Sequence, residues 1–301
     1  MDSIQSRIDE SKRGGASGEM TIRLALCDGL AAAGVECHVV RSDSEFEREG
    51  KSLDKYSLIF LDPWTWAARG WKMKPFLHGH EQKLYILDFF GGDGHPGLNP
   101  TVPLSRHLTA YPVHPRNTFL GYFLPDAVSH PQGNRKKAGV IWGKDPKYYH
   151  GKHVFLTKVA SIVPLVSTAP QDAMPAHPNI TSVGHLSPEG WEALLRSHKF
   201  LLGLGDPLVG PSAIDAIAAG AMFLNPHYRQ PKLDHYRSQH PFAESSTPDS
   251  VCAFDLEGSG EDLVKCVEKA VGQDLAPSVP TELTAASYME RLKSIFKDQL
   301  P

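Results

Sequence analysis

The sequence predicts an α/β protein with two domains, of the class in which helices cover parallel, doubly wound sheets. Strand-like apolar runs alternate with helical patterns in both halves of the chain. In the second half the connections between them are short, as parallel strand–helix–strand units require. The 301 residues suffice for two domains of about 100–200 residues each. We therefore expect two doubly wound domains.

The composition is that of a folded globular protein, with 41% hydrophobic and 22% charged residues. The net charge is −3, from 31 basic and 34 acidic residues, which argues against a long polyanion such as nucleic acid as a partner. No run of about 18 apolar residues is present, so we expect no membrane-spanning helix. Residues 1–19 lack the apolar centre of a signal peptide, and we expect neither anchor nor export signal in this chain.

The four cysteines contain no C-x-x-C pair, which argues against a zinc ribbon or a dithiol redox site. Cys27 and Cys37 are compatible with a disulfide and equally with small core residues. The state of Cys252 and Cys266 is also left open.

The first half predicts one helix, three strands and a long loop: helix 21–33, strands 37–41, 57–62 and 83–88, and loop 91–115. The second half predicts six strands, at 138–142, 163–167, 180–183, 200–203, 222–225 and 251–256. Its helices are predicted at 146–162, 188–197, 212–219, 261–271 and about 282–299, the last able to cross back onto the first domain. The polar run at 127–137 is the predicted linker, so the expected domains are 1–126 and 138–301.

The loop after strand 200–203 is the first candidate binding site, because ligands of such sheets bind beyond the carboxyl ends of the strands. It has the sequence GLGDPLVGPS, in which Gly203, Gly205 and Gly210 allow the backbone to approach a bulky anion. These glycines alone also fit a tight turn between a strand and a helix.

The helix that follows this loop supplies the remaining features of a nucleotide site. Pro211 suits a first helical turn, and Ser212 can cap free amides there. The helix start then offers N–H groups and partial positive charge to a diphosphate. Asp215 can accept hydrogen bonds from both ribose hydroxyls, although alone it also fits a solvated helix position. Together these residues favour a nucleotide diphosphate.

Three segments, 200–226, 238–244 (SQHPFAE) and 117–124 (NTFLGYFL), resemble the alpha-1,6-mannosylglycoprotein 6-beta-N-acetylglucosaminyltransferase family. The resemblance extends over about residues 14–297 and is strongest in the second domain. It implies a GT-B fold with two Rossmann-like domains facing across a cleft. It also implies UDP-N-acetylglucosamine as donor, no metal or other cofactor, and inverting transfer to the 6-hydroxyl of a mannose on an N-glycan.

The same resemblance implies the catalytic and acceptor-side residues. Residues 14–19 (GGASGE) match the family's G-G-x-x-G-E, which puts the general base on Glu19 and Gly18 beside it. An inverting transfer needs one base for the acceptor hydroxyl. Without the resemblance, Glu19 fits a favourable first-turn acid. The match of residues 88–91 to D-x-F-G implies that Asp88 and Phe90 lie on the acceptor side, with a structural turn as the alternative.

On the donor side, the resemblance implies that Gly143 and Lys144 reach the phosphates or uridine. It also implies that the backbone of Gly184, His185 and Leu186 pairs with the uracil edge. Lys232 is a second candidate cation. Surface lysines and an ordinary loop histidine are the alternatives. There is no obvious D-x-D metal motif, so helix amides and cations are expected to meet the diphosphate charge.

Two departures from the family pattern are visible. Residues 1–13 are polar and do not supply the strand that precedes the glycine loop in the family, so we expect that strand to be missing, replaced or encoded upstream. Asp215 stands where the family has glutamate, which shortens its reach by about 1.5 Å. The resemblance implies a Golgi membrane protein, whereas we expect no anchor within this chain.

Three functions therefore stay open from the sequence. The first is the inverting N-acetylglucosamine transfer to a glycan or glycoprotein acceptor. The second is another UDP-sugar reaction on the same fold, such as hydrolysis or epimerisation. The third is a non-catalytic module that binds UDP or a glycan.

Overall fold

The computed structural model describes residues 18–40, 42–93, 102–124, 135–233 and 235–300. The chain forms two compact units. The first holds Glu19–Leu124 and the C-terminal segment from Thr281, and the second holds the residues between them. Within the described residues, no helix is both long and apolar enough to cross a membrane. Most of the predicted linker 127–137 and the glycine loop before Gly18 lie outside the described residues.

The first unit is built on a parallel four-stranded sheet, in which neighbouring strands follow the order of the chain. Its strands are β1 (Ile59–Leu61), β2 (Leu84–Leu87), β3 (His107–Thr109) and β4 (Thr118–Phe119). Its first helices are α1 (Gly18–Ala32), α2 (Asp43–Gly50) and α3 (Pro63–Leu77). All residues of β2 and β3 are buried, as expected of parallel strands covered on both faces.

The first unit departs from the predicted elements at two places. Over its described residues, the predicted strand 37–41 pairs with no other strand. A β-branched run forms a strand only where a neighbouring strand accepts its hydrogen bonds. Strand β3 lies inside the predicted loop 91–115, and β4 follows it. Strands of two or three residues are too short to produce a recognisable alternation in the sequence.

The second unit contains strands β5 (Lys136–Ile141), β6 (Leu165–Ser167), β7 (Ile180–Ser182), β8 (His198–Leu202), β9 (Met222–Lys232), β10 (Tyr236–Ser238) and β11 (Val251–Asp255). Its helices are α4 (His153–Ala160), α5 (Pro188–Ser197), α6 (Ser212–Ala218), α7 (Pro241–Ser246) and α8 (Glu261–Gly272). The parallel strands follow the order β7-β6-β5-β8-β9-β11, and β10 pairs antiparallel with β9. Counted along the chain, this is the order 3-2-1-4-5-6 of dinucleotide-binding folds.

The predicted α/β class with parallel, Rossmann-like sheets is confirmed. In the central strands of the second unit, Val140, Leu201 and Phe223 are 0% exposed. The predicted helix 146–162 is divided into a 3₁₀ turn at Pro146–Tyr149 and helix α4. Gly151 lies between them with φ +71°, a conformation that ends helical structure.

Each unit has one further feature, a disulfide in the second unit and the last helix of the chain in the first unit. A disulfide between Cys252 and Cys266 joins β11 to α8 in the second unit. The last helix, α9 (Ala285–Ile295), belongs to the first unit, and after it the Phe296 ring lies edge-on to Tyr85 at 5.0 Å. The sequence-based division had placed this segment with the second domain, because an amphipathic pattern does not specify which core its apolar face covers.

Candidate functional site

The strand order of the second unit places a topological switch point between β5 and β8. Ligands of doubly wound sheets bind there, outside the carboxyl ends of the strands. The connection after β5 contains Gly143 and Lys144, and the connection after β8 begins the loop 203–211. Two of the three predicted donor-binding segments therefore lie at the same edge of the same sheet.

These two connections contact each other. The backbone N–H of Trp142 donates to the carbonyl of Leu202 at 2.9 Å. A Cβ added to Gly210 would lie 2.8 Å from the Trp142 ring. Gly143 and Gly205 have φ values of +154° and +89°, which residues with side chains rarely adopt. The glycines thus allow a tight backbone turn, and Gly205 and Gly210 leave room for the side chains of Leu256 and Trp142 that pack against them.

Gln239, within the SQHPFAE segment, holds the shape of the loop after β8. It is 0% exposed, and its side-chain oxygen accepts from the Gly205 N–H at 2.9 Å. Its side-chain nitrogen donates to the carbonyl of Pro207 at 2.9 Å, and its backbone carbonyl accepts from Val209 at 2.9 Å. Sequence reasoning assigned no role to this residue. The available signal was its place in the SQHPFAE segment, which carries the same family resemblance.

Lys232, the second candidate cation, is bound to that loop. Its ammonium donates to the carbonyl of Gly205 at 2.8 Å and lies 2.5 Å from a carboxylate oxygen of Asp206. The hydroxyl of Tyr228 donates to the same Gly205 carbonyl at 2.6 Å. Lys232 therefore stabilises the loop after β8 through its contacts with Gly205 and Asp206. Lys144 is half-buried directly after Gly143, where the resemblance implies phosphate or uridine contact.

Asp215 lies in the first turn of α6, which begins at Ser212 with Pro211 at the N-cap position. Its carboxylate accepts a hydrogen bond from the indole of Trp191, a residue of α5. Burial raises the pKa of Asp215 to about 7, because the protein around it solvates the charged form less well than water does. Hydrogen bonds from the hydroxyl groups of a ligand would stabilise the charged form of this carboxylate.

The predicted uracil-binding residues Gly184, His185 and Leu186 follow β7, two strands away from β5. Gly184 has φ +71°, and its N–H donates to the hydroxyl of Ser182 at 3.1 Å. His185 is exposed. This loop leads directly into α5, the helix whose Trp191 contacts Asp215. The segment is thereby connected to the candidate ribose site, although it is not at the switch point itself.

A charged pair that sequence reasoning missed joins β9 to the first turn of α7. His227 Nε2 is 3.0 Å from both carboxylate oxygens of Glu244, and Asn225 Nδ2 donates to the same carboxylate at 3.0 Å. The hydrogen bond to Glu244 raises the pKa of His227, and the same bond lowers the pKa of Glu244. Both side chains are about 40% exposed, so the pair is accessible at the ligand edge. Glu244 belongs to the SQHPFAE segment, which was its available signal.

In the first unit, one small cleft collects the predicted catalytic and acceptor-side residues. It is lined by Glu19, Arg23, Pro63, Leu87, Asp88, Phe89 and Phe90. Glu19 lies in the first turn of α1, which Gly18 begins, and residues 88–90 directly follow β2. The fold thus brings together residues separated by about 70 positions in the chain.

Asp88 takes part in a turn and also faces the cleft. One carboxylate oxygen accepts from the Gly91 N–H at 3.1 Å, and the other lies 3.5 Å from His107 Nδ1. His107 is 1% exposed. The structural-turn alternative for the D-x-F-G segment is therefore present in the fold. Asp88 also lines the cleft, and its place on the acceptor side stays a prediction.

Arg23 is a candidate site residue that sequence reasoning missed. It lies one helical turn after Glu19, on the same face of α1, and lines the same cleft. Its guanidinium is 3.4 Å from the carboxylate of Asp62, whose other oxygen caps α3 through the Thr65 N–H at 2.8 Å. The E-x-x-x-R spacing was the signal that could have identified it.

Within the residues that the structure describes, no three or more His, Cys, Asp or Glu side chains are grouped closely enough to hold a metal ion.

The comparisons with known proteins agree with these motifs. Alpha-1,6-mannosylglycoprotein 6-beta-N-acetylglucosaminyltransferase A from Homo sapiens is 26% identical over 282 residues, covering 80% of this chain and 37% of that protein. The corresponding enzyme of Caenorhabditis elegans is 26% identical over 219 residues, covering 66% of this chain and 32% of that protein. The chain thus spans little more than a third of the length of these relatives.

UDP-GlcNAc 2-epimerase from Methanocaldococcus jannaschii, solved with UDP-GlcNAc and UDP, has a similar fold. The TM-score is 0.51 at 10% identity, over 93% of this chain and 96% of that one. At this identity the likeness concerns the fold alone. The profile of glycosyltransferase family 18 matches residues 49–300, and the family resemblance read from the motifs is confirmed. The chain belongs to glycosyltransferase family 18.

Proposed function

We propose that this chain transfers N-acetylglucosamine from UDP-N-acetylglucosamine to the 6-hydroxyl of a mannose on an N-glycan or similar glycan. The reaction proceeds with inversion and without a metal ion. The observation that carries the proposal is the pair of glycine loops at the switch point of a family 18 chain, with Asp215 in the adjoining helix. A Golgi location, which the resemblance implies, stays a prediction.

The donor site is assigned to the second unit. Backbone N–H groups of the loop after β8 and of the start of α6 hold the diphosphate. Lys144 neutralises part of the phosphate charge. Asp215 accepts from the ribose hydroxyls, and the backbone around His185 pairs with uracil.

The acceptor chemistry is assigned to the cleft of the first unit. Glu19 takes the proton of the mannose 6-hydroxyl as that oxygen attacks the anomeric carbon. The bond between the anomeric carbon and the UDP oxygen breaks on the opposite face, and UDP leaves with the electron pair, which inverts the configuration. Phe90 offers an apolar surface to the sugar ring, and Asp88 accepts hydrogen bonds from its hydroxyls.

Calorimetric titration of UDP, UDP-N-acetylglucosamine and GDP in EDTA tests the donor assignment. We expect both uridine nucleotides to bind and GDP to bind at least about tenfold more weakly, since one lost base-pairing contact has that effect. A failure of UDP to bind would eliminate the proposal. Binding that requires a divalent cation would contradict its metal-independent form.

Product analysis separates the proposed transfer from the alternatives. A transferase consumes donor only when a mannose-terminated acceptor is present, whereas a hydrolase or epimerase consumes or converts donor without it. A non-catalytic module binds UDP and leaves the donor sugar intact in both reactions. Loss of donor in the acceptor-free reaction, at the rate seen with acceptor, would therefore exclude the transfer.

Arg23→Met is expected to raise the KM for the acceptor by about tenfold or more, because a charge-assisted hydrogen bond in the cleft is lost. UDP affinity should stay unchanged, since Arg23 lies in the first unit. Initial rates at varied acceptor concentration check this expectation. Arg48→Met, on the exposed surface of α2, is the matched control. An unchanged acceptor KM in Arg23→Met would remove Arg23 from the site.

A further inference from the structure

Two thiols of the first unit lie unusually close together. The sulfur atoms of Cys27 and Cys37 are 2.7 Å apart, well inside the separation of two sulfur atoms that merely pack against each other. Both cysteines are half-buried, so a reagent can reach them. Each sulfur has the other as its hydrogen-bonding partner, so joining them covalently replaces that one contact.

The local backbone brings the two residues together. Helix α1 ends at Ala32, Gly34 follows with φ +78°, and the N–H of Val35 donates to the carbonyl of Leu30 at 2.9 Å. This is the hydrogen-bond pattern of a glycine-terminated helix, which turns the chain back on itself. The residues after the turn place Cys37 next to Cys27, ten positions earlier.

We infer that Cys27 and Cys37 form a second disulfide in the mature protein. The contact is already made by the folded backbone, so closing the bond needs only a small shift of the two side chains. The protein already contains the Cys252–Cys266 disulfide in its second unit, and disulfides persist in oxidising compartments. With this pairing, all four cysteines of the chain are oxidised.

The chemistry of the pair favours exchange with an oxidised dithiol protein, which serves as the oxidant. The Cys27 thiol donates a hydrogen bond to Cys37, which lowers the pKa of Cys37 and favours its thiolate. That thiolate attacks the oxidant's disulfide and releases one of its sulfurs as a thiolate. Cys27 then loses its proton and attacks the Cys37 sulfur, which frees the second. The pair loses two protons and two electrons, and the oxidant becomes a dithiol.

The bond would anchor the helix that begins the proposed acceptor site. Glu19 and Arg23 lie in the first two turns of α1, and Cys27 lies one turn further on. A cross-link from Cys27 to the following segment limits the unfolding of this helix. The disulfide depends only on the contact between the sulfurs, and it stands or falls independently of the proposed function.

Peptide mapping of the complete chain tests the pairing. The protein is expressed in an oxidising compartment, denatured without reductant and treated with N-ethylmaleimide. Trypsin leaves both cysteines in the peptide 24–41, which should be unlabelled and lighter by two hydrogens than its reduced form. Cleavage after Glu36 separates the cysteines into peptides 20–36 and 37–45, which should stay joined until reductant is added.

The Cys252–Cys266 pair is the internal control, because its linked peptides show that the sample was oxidised. Labelling of both Cys27 and Cys37 in such a sample would overturn the inference. As a second measurement, the variant C252A/C266A should show no thiols when titrated in denaturant, and two thiols would count against the pairing. Replacing Cys27 and Cys37 together by alanine should lower the Tm by about 5 °C or more.

Discussion

Glu19→Gln is expected to lower the turnover of glycosyl transfer by about 10²–10⁴-fold, the usual contribution of a positioned general base. Glutamine keeps the size of the side chain and its place in the first turn of α1, but it does not accept the proton of the attacking hydroxyl. The measurement is kcat with UDP-N-acetylglucosamine and a mannose-terminated acceptor, together with calorimetric UDP affinity. Because the donor site is assigned to the second unit, UDP affinity should be unchanged.

Glu47→Gln provides the matched control for this experiment, since Glu47 is an exposed carboxylate of α2 and belongs to no proposed site. Its turnover should equal that of the unaltered protein. If Glu19→Gln retained more than about a tenth of the turnover, the base would have to be another residue. Asp88, the second carboxylate of the same cleft, would then be tested in the same way.

Asp215→Asn is expected to weaken UDP binding by about 10–100-fold, the effect of losing hydrogen bonds to a charged acceptor. The pKa of Asp215 is raised to about 7 by burial, so the unaltered protein carries a neutral carboxyl below that pH and a carboxylate above it. The carboxylate accepts hydrogen bonds from both ribose hydroxyls. UDP affinity should therefore increase more steeply between pH 6 and pH 8 in the unaltered protein than in Asp215→Asn, as measured by calorimetry.

The same pKa has an opposite consequence for the stability of the ligand-free protein. The folded-state pKa of Asp215 lies above its ordinary value of 3.8, so folding favours the protonated carboxyl. Stability from this group is complete below about pH 3.8 and is lost as the pH rises through about 7. Without UDP, Asp215→Asn should thus unfold at a higher temperature than the unaltered protein at pH 8.

Asp215→Glu separates the effect of the carboxylate charge on UDP affinity from the effect of the length of the side chain. Glutamate is the residue that the family resemblance implies at this position, and it keeps an ionisable carboxyl. We expect it to retain the steeper pH dependence of UDP affinity that asparagine loses. A UDP affinity that is the same in Asp215→Asn, Asp215→Glu and the unaltered protein would show that Asp215 does not contact the nucleotide.

The second unit was more predictable from the sequence than the first. Helix α5 has the predicted bounds, and β8 and α6 lie within two residues of theirs. These elements depend on local signals: apolar strands of five or more residues, a proline at the helix start and short loops. Strands β3 and β4 have two or three residues and acquire their identity only by pairing with neighbours. No local pattern reports such pairing.

The candidate site shows the same division. Gly205 and Gly210 could be recognised from the sequence, because a position where another group approaches the backbone closely requires glycine. The contact of Trp191 with Asp215 was not recognisable, since it joins two helices across 24 positions of the chain. Arg23 was missed because one arginine on a helix face has no distinctive pattern until the cleft beside it is known.

By itself, the sequence determined the α/β class, the family and the glycine loop that marks the candidate donor edge. Periodicity, turn residues and motif spacing are properties of neighbouring positions, so they can be read along the chain. Only the tertiary structure decided the strand order that creates the switch point, the assignment of α9 to the first unit, and the meeting of Glu19 with Asp88 and Phe90. Those depend on which apolar surfaces bury each other, a choice made between segments far apart in the chain.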